Sequence, residues 1–141
     1  MRGRAGLVFA ILLVLTAMTL FATSDALPQA VAAHFGADDL ANGWMSRDRY
    51  LVFMLCFSVG LPLALVAALG WLPRRPALRA HAYRLGSLML MLALGVHLLV
   101  LEANAARPPR LASGLFGALL LAFLAALVLW VFGLVRGLRK A

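Results

Sequence analysis

Residues 24–49 read SDALPQAVAAHFGADDLANGWMSRDR, and they hold four of the chain's five carboxylates: Asp25, Asp38, Asp39 and Asp48. Apolar sequence flanks this stretch on both sides, with Ala5 to Ala22 before it and Tyr50 to Leu72 after it. An acidic, turn-rich insert between two such runs is the signature of a water-facing loop joining two membrane spans. Its opening Leu27-Pro28 bars helix through residue 27 and permits a new turn after it. Residues 29–35 then read as a short helix, with Val31 and Phe35 spaced i, i+4 on one face and Gly36 placed to end it. Asn42-Gly43 is a turn signal. Trp44 and Met45 fall at the depth where indole rings favour the headgroup region. Ser46 suits the N-cap of the next span, and Asp48 suits that helix's first turn. The loop is therefore expected to fold onto the membrane surface.

Working outward, the composition is 65% hydrophobic and 13% charged over 141 residues, which excludes an ordinary soluble domain. A helix needs about 20 apolar residues to cross the hydrocarbon layer. Four segments free of Asp, Glu, Lys and Arg qualify: residues 5–22, 50–72, 85–101 and 111–135. The expectation is one transmembrane domain over residues 1–141, an all-α polytopic protein with a structured outer loop at residues 23–49. The first span has a basic start and a small-x-small site at Ser24-Asp25-Ala26, as a signal peptide does. Its apolar run is long for that role, so it reads as a retained anchor.

The net charge of +8 is distributed by side. Arg2, Arg4, Arg74, Arg75, Arg79, Arg84, Arg136, Arg139 and Lys140 fall on one face of the membrane with no acid among them. Arg47, Arg49, Arg107 and Arg110 share the other face with all five acids. Nine against four is the positive-inside pattern, which places both termini in the cytoplasm of a bacterial inner membrane. Basic residues so placed set topology and meet anionic lipid, so no nucleic acid partner is expected. Cys56 stands alone inside the second span, so no intramolecular disulfide is available.

Within the spans, Pro62 frees the Ser58 carbonyl and should kink the second helix near residues 58–60. Pro108-Pro109 forces a stop between the last two helices, which must be antiparallel neighbours. Ser113 and Gly117 form a small-x-x-x-small pair that permits close helix approach. His97 is the ionisable side chain well inside a span, and such groups need a partner. Gly86, Leu90, Ala93, His97, Leu101 and Asn104 share one face of the third helix. One reading makes His97 a neutral ring bonded to a carbonyl or hydroxyl of a neighbouring helix. Another joins His97, Glu102 and Asn104 to His34, Asp38 and Asp39 as a metal or proton site. No tight metal motif, nucleophile–base arrangement, phosphate loop or haem attachment motif is present, so neither enzyme nor cofactor is expected. His81 reads as surface in a basic cytoplasmic loop.

The order Leu27-Pro28-x-x-Val31-x-x-His34-Phe35-Gly36, then Gly43-Trp44-Met45-Ser46-Arg47, resembles a bacterial membrane domain of unknown function. That domain is the first module of the SdpI-type toxin-immunity proteins. The resemblance spans about residues 5–70, and the family pattern often has glycine where this chain has Asp39 or Leu40. It implies a shared fold and loop geometry and names no catalytic residue. Three roles follow for the chain: a non-enzymatic membrane protein whose outer loop recognises a protein partner or toxin, an accessory subunit of a larger membrane complex, or a metal- or proton-handling protein. The candidate partner-binding or loop-structuring residues are Leu27, Pro28, His34, Phe35, Asp38, Asp39 and Trp44, and in the structural reading His34 and the aspartates fix the loop by bonding backbone amides.

Overall fold

The structure is a computed structural model that describes residues 2–71 and 76–139. Among the described residues four helical segments are long and apolar enough to cross a membrane: Gly3–Ala22, Arg47–Leu69, Leu78–Ala105 and Ser113–Gly137. The elements run α1 (Arg2–Ala22), a 3₁₀ turn (Ser24–Ala26), β1 (Ala30–Phe35), β2 (Ala41–Ser46), α2 (Arg47–Leu55), a widened turn (Cys56–Gly60), α3 (Leu61–Trp71), α4 (Pro76–Ala105) and α5 (Ser113–Arg139). The chain is thus multi-pass and mainly helical, as the hydropathy predicts. Arg74, Arg75 and Lys140 lie outside the described residues.

The spans start and stop where caps and prolines dictate. Ser46 accepts a hydrogen bond from the Arg49 amide at 3.4 Å, capping α2, and Asp48 sits in its first turn. The Pro62 disturbance takes the form of a wide turn in which the Leu61 amide bonds the Cys56 carbonyl, five residues back. Ser58 Oγ donates to the Met54 carbonyl inside this segment. The third span is longer than the uncharged window, because α4 begins at Pro76 and not near residue 85. Proline is well tolerated in the first turn of a helix. Arg79 and Arg84 do not interrupt a helix that projects past the hydrocarbon, so cutting the span at charged residues made it too short.

α4 is the central helix: it packs on α1, α3 and α5 and meets β1 at its far end. Small residues set these crossings. A Cβ on Gly86 would stand 2.6 Å from the Phe9 ring, and one on Gly95 would stand 2.7 Å from Leu119. The expected Ser113/Gly117 contact is corrected, since a Cβ on Gly117 would meet nothing within 4 Å. The close approach of α4 and α5 belongs to Gly95 instead. The buried face of α4 carries Leu90, Ala93, His97, Val100 and Ala103, in keeping with the periodicity of the third span.

The loop at residues 23–49 differs most from expectation. Residues 29–35 do not form a helix; β1 and β2 form a two-stranded antiparallel sheet. A helix of about two turns is marginal in water, whereas the strand gains a ladder and a buried face. Asn42-Gly43 lies inside β2, and the turn falls at residues 36–40. There the Gly36 amide bonds the Leu40 carbonyl at 2.8 Å and the Asp39 amide bonds the Gly36 carbonyl at 3.1 Å. Asp39 takes φ 66°, a left-handed conformation that Asp tolerates better than most residues. Leu27 and Val31 plug the hairpin into a cluster with Leu20, Tyr50, Met54 and Val100. Burying an aliphatic side chain of this size stabilises by about 1.5–3 kcal/mol.

A pinned hairpin and the polar node beneath it

The register explains which hairpin side chains are displayed. Ala32 faces Trp44, His34 faces Gly43 and Phe35 faces Ala41, with irregularities on either side of His34. Counting across them, Ala33 is extra on β1 and Asn42 is extra on β2. Such bulges re-aim side chains locally. Here they bring His34 Nδ1 to 2.5 Å from Asn42 Oδ1 on the exposed face. Trp44, alternating with inward-facing neighbours, is 55% exposed. Asp38 is also exposed and accepts from the Leu40 amide at 3.2 Å, a turn-stabilising bond. Pro28 is exposed beside buried Leu27, while Phe35 and Asp39 are half-buried.

A lone two-stranded hairpin is marginal in water, and this one is held at three places. Asn104, at the end of α4, treats the edge of β1 as a partner strand would. Its Oδ1 accepts from the Ala32 amide at 2.8 Å, and its Nδ2 donates to the Ala32 carbonyl at 3.0 Å. The same Nδ2 donates to the Val100 carbonyl at 2.8 Å. The link after α4 holds the other end, with the Ala41 amide on the Pro109 carbonyl at 3.1 Å and the Leu111 amide on the Asp39 carbonyl at 3.0 Å. At the base, the Arg47 amide bonds the Gln29 carbonyl at 2.9 Å. The Arg47–Asp25 pair, at 3.7 Å with Asp25 98% exposed, adds little.

Below the hairpin lies His97, fully buried. Its Nε2 is 2.8 Å from Thr23 Oγ1 and its Nδ1 is 2.9 Å from the Tyr50 hydroxyl. Thr23 has one hydroxyl proton, and it is directed to the Thr19 carbonyl at 2.7 Å. Thr23 must therefore accept from His97, so a neutral ring carries its proton on Nε2 and accepts at Nδ1 from Tyr50. The order of donation is Tyr50 to His97 to Thr23 to the Thr19 carbonyl. Each link is satisfied, and the chain ends at a backbone oxygen that cannot pass a proton on. This node ties the residue after α1 to α2 and α4.

The expected site residues therefore separate. His97 does not join His34, Asp38 and Asp39: both of its ring nitrogens are taken by hydroxyls, while His34 pairs with Asn42 on the exposed face. Glu102 is exposed on α4. Among the described residues no three His, Cys, Asp or Glu side chains converge as metal ligands would. Sequence reasoning missed Thr23, Asn42 and Tyr50. Thr23 and Tyr50 were legible only as the polar residues bracketing the outer ends of the first two spans. Compared with known proteins, the chain matches no family model, no curated protein and no solved structure.

Proposed function

We propose that the hairpin is a preformed recognition element for a protein partner on the extracytoplasmic face of a bacterial inner membrane, with both termini cytoplasmic. The observation that carries this reading is the contrast between the two faces of the hairpin. One is fixed to the bundle through Leu27, Val31 and the Asn104 bonds, and the other displays Trp44, His34 and Asn42. Rigid display lowers the ordering cost of binding, and an exposed Trp among polar groups has the composition of a binding hot spot. The glycine-like backbone at Asp39 also fits the resemblance to the immunity-protein module, whose pattern has glycine at or beside that position. No catalytic step is assigned.

A second reading, an accessory subunit, draws on α5. That helix packs chiefly on α4 and leaves Leu121, Leu129 and Phe132 exposed for lipid or another subunit. Photocrosslinking in intact cells separates the two. A reactive residue at Trp44 should give a discrete protein adduct that His34→Ala weakens. Adducts from position 129 and none from position 44 would replace the first reading with the second.

A further inference from the structure

At the end of the bundle opposite the hairpin, α1, α4 and α5 enclose an open cleft of about 570 Å³, a size typical of small-ligand sites. Arg4 and Arg84 stand among its lining residues, with Val8, Leu88 and Leu129 forming apolar wall. Trp130 fixes one side, since its Nε1 donates to the His81 carbonyl at 2.9 Å. His81 is not the free surface residue that the sequence predicts. It lies in α4 with its ring edge-on to Trp130, and its Nδ1 is buried with no hydrogen-bond partner.

The electrostatics of this end are one-sided. The five side-chain carboxylates, Asp25, Asp38, Asp39, Asp48 and Glu102, all belong to the hairpin end. Neither Arg4 nor Arg84 therefore has a side-chain carboxylate to pair with, and Arg136 and Arg139 add positive charge nearby on α5. A buffer anion would satisfy the charge but not the shape. Leu88 also lines a second, apolar hollow of about 150 Å³ that continues along the seam of α4 and α5, past Leu92 to Leu119 and Phe123. Charge in the cleft and a separate apolar hollow farther along the same helix seam, with Leu88 lining both, match one chemistry, an anionic head on an acyl chain.

We infer that this cleft is a binding site for an anionic phospholipid. Its phosphate pairs with Arg4 and Arg84, and one acyl chain lies along the seam of α4 and α5. Guanidinium groups suit phosphate because their forked donors can engage two oxygens at once. The site is at the other end of the molecule from the hairpin, and it stands or falls independently of partner recognition.

The test titrates the purified full chain, in mild detergent, with a short-chain phosphatidylglycerol, the matching phosphatidylcholine and inorganic phosphate. Native mass spectrometry reads the bound adduct. Phosphatidylglycerol should bind in preference to phosphatidylcholine, and inorganic phosphate should not displace it. Arg4→Gln with Arg84→Gln should weaken the adduct roughly 30-fold, from the attraction of two basic residues for an anionic lipid. Arg136→Gln with Arg139→Gln, outside the cleft lining, should weaken it less than the cleft pair does, and an equal or larger loss would overturn the assignment to Arg4 and Arg84. Leu129→Trp, which fills the cleft and keeps its charges, should also abolish the adduct, and it carries the test if the arginine variant fails to fold. Equal binding of the two lipids, displacement by phosphate, or an adduct that survives both cleft variants would overturn the site.

Discussion

Gly43 stands directly across the ladder from His34, and a Cβ on residue 43 would lie 2.9 Å from the Cβ of His34. Both atoms are fixed to backbone, so no rotamer change relieves the clash. Gly43→Ala should force the strands apart and lower stability in detergent by about 1–3 kcal/mol, the range for overpacking. Asn42→Ala removes only the exposed bond to His34 and should cost about 1 kcal/mol or less. Thermal melts of the two variants check the order, and an Asn42 effect larger than the Gly43 effect would contradict it.

Asn104→Leu should free the hairpin while leaving the bundle intact. The change strands the buried amide and carbonyl of Ala32, at a cost of about 1–3 kcal/mol. Hydrogen exchange at the Ala32 amide should accelerate, and proteolysis within residues 36–40 should begin. Asn104→Asp keeps the acceptor but turns a carboxylate oxygen onto the Ala32 and Val100 carbonyls, so it should disturb the strand at least as much as the leucine variant. Unchanged exchange at Ala32 would show that the α4 contact does not hold the strand.

Tyr50→Phe and Thr23→Val each break one link to His97. Side-chain hydrogen bonds between membrane helices average about 0.6 kcal/mol and reach about 1.7 kcal/mol, so each single variant should be mild. The ring polarity makes the two losses unequal, because Thr23→Val orphans a buried N–H while Tyr50→Phe orphans an acceptor. The links share one imidazole, so the double variant should depart from additivity in a double-mutant cycle. Strict additivity would mean that the two hydroxyls do not act through His97.

The orientation proposed here follows from the basic residues at the termini and in the link after α3. With Cys56 replaced by Ala, an impermeant thiol reagent added outside cells should label a cysteine at Asp38 and spare one at Ala80. The reverse pattern would invert the protein.

The spans were legible because hydropathy is a local property that twenty residues state unambiguously, and the cap at Ser46 is equally local. The hairpin was not. Ala30, Ala32 and Ala33 carry no strand preference of their own, and the group that completes the β1 edge, Asn104, is 72 residues away. His97 could be marked as needing a partner, yet its partners lie at the outer ends of two other spans. His81 was misplaced for a related reason: ending the third span at its charged residues removed the helix that carries His81 to Trp130.

The wide turn at Cys56–Gly60 has a consequence for how this helix presents itself to lipid. Tyr50, Met54, Ser58 and Pro62 are all buried and recur every four residues. In a regular α-helix that spacing drifts by about 40° at each step, which would carry Pro62 well off the face that Tyr50 begins. A turn closed by an i to i+5 bond behaves as a one-residue insertion and takes back much of that drift. The two halves are therefore out of phase with each other. A lipid-accessibility scan along residues 47–71 should show one periodicity up to Leu55, a phase jump, and the same periodicity resumed after Gly60. Deleting one residue from the wide turn should restore a regular helix and keep Pro62 on the buried face, because eleven residues at about 100° each return to within about 20° of Tyr50, so the phase jump should vanish from the scan.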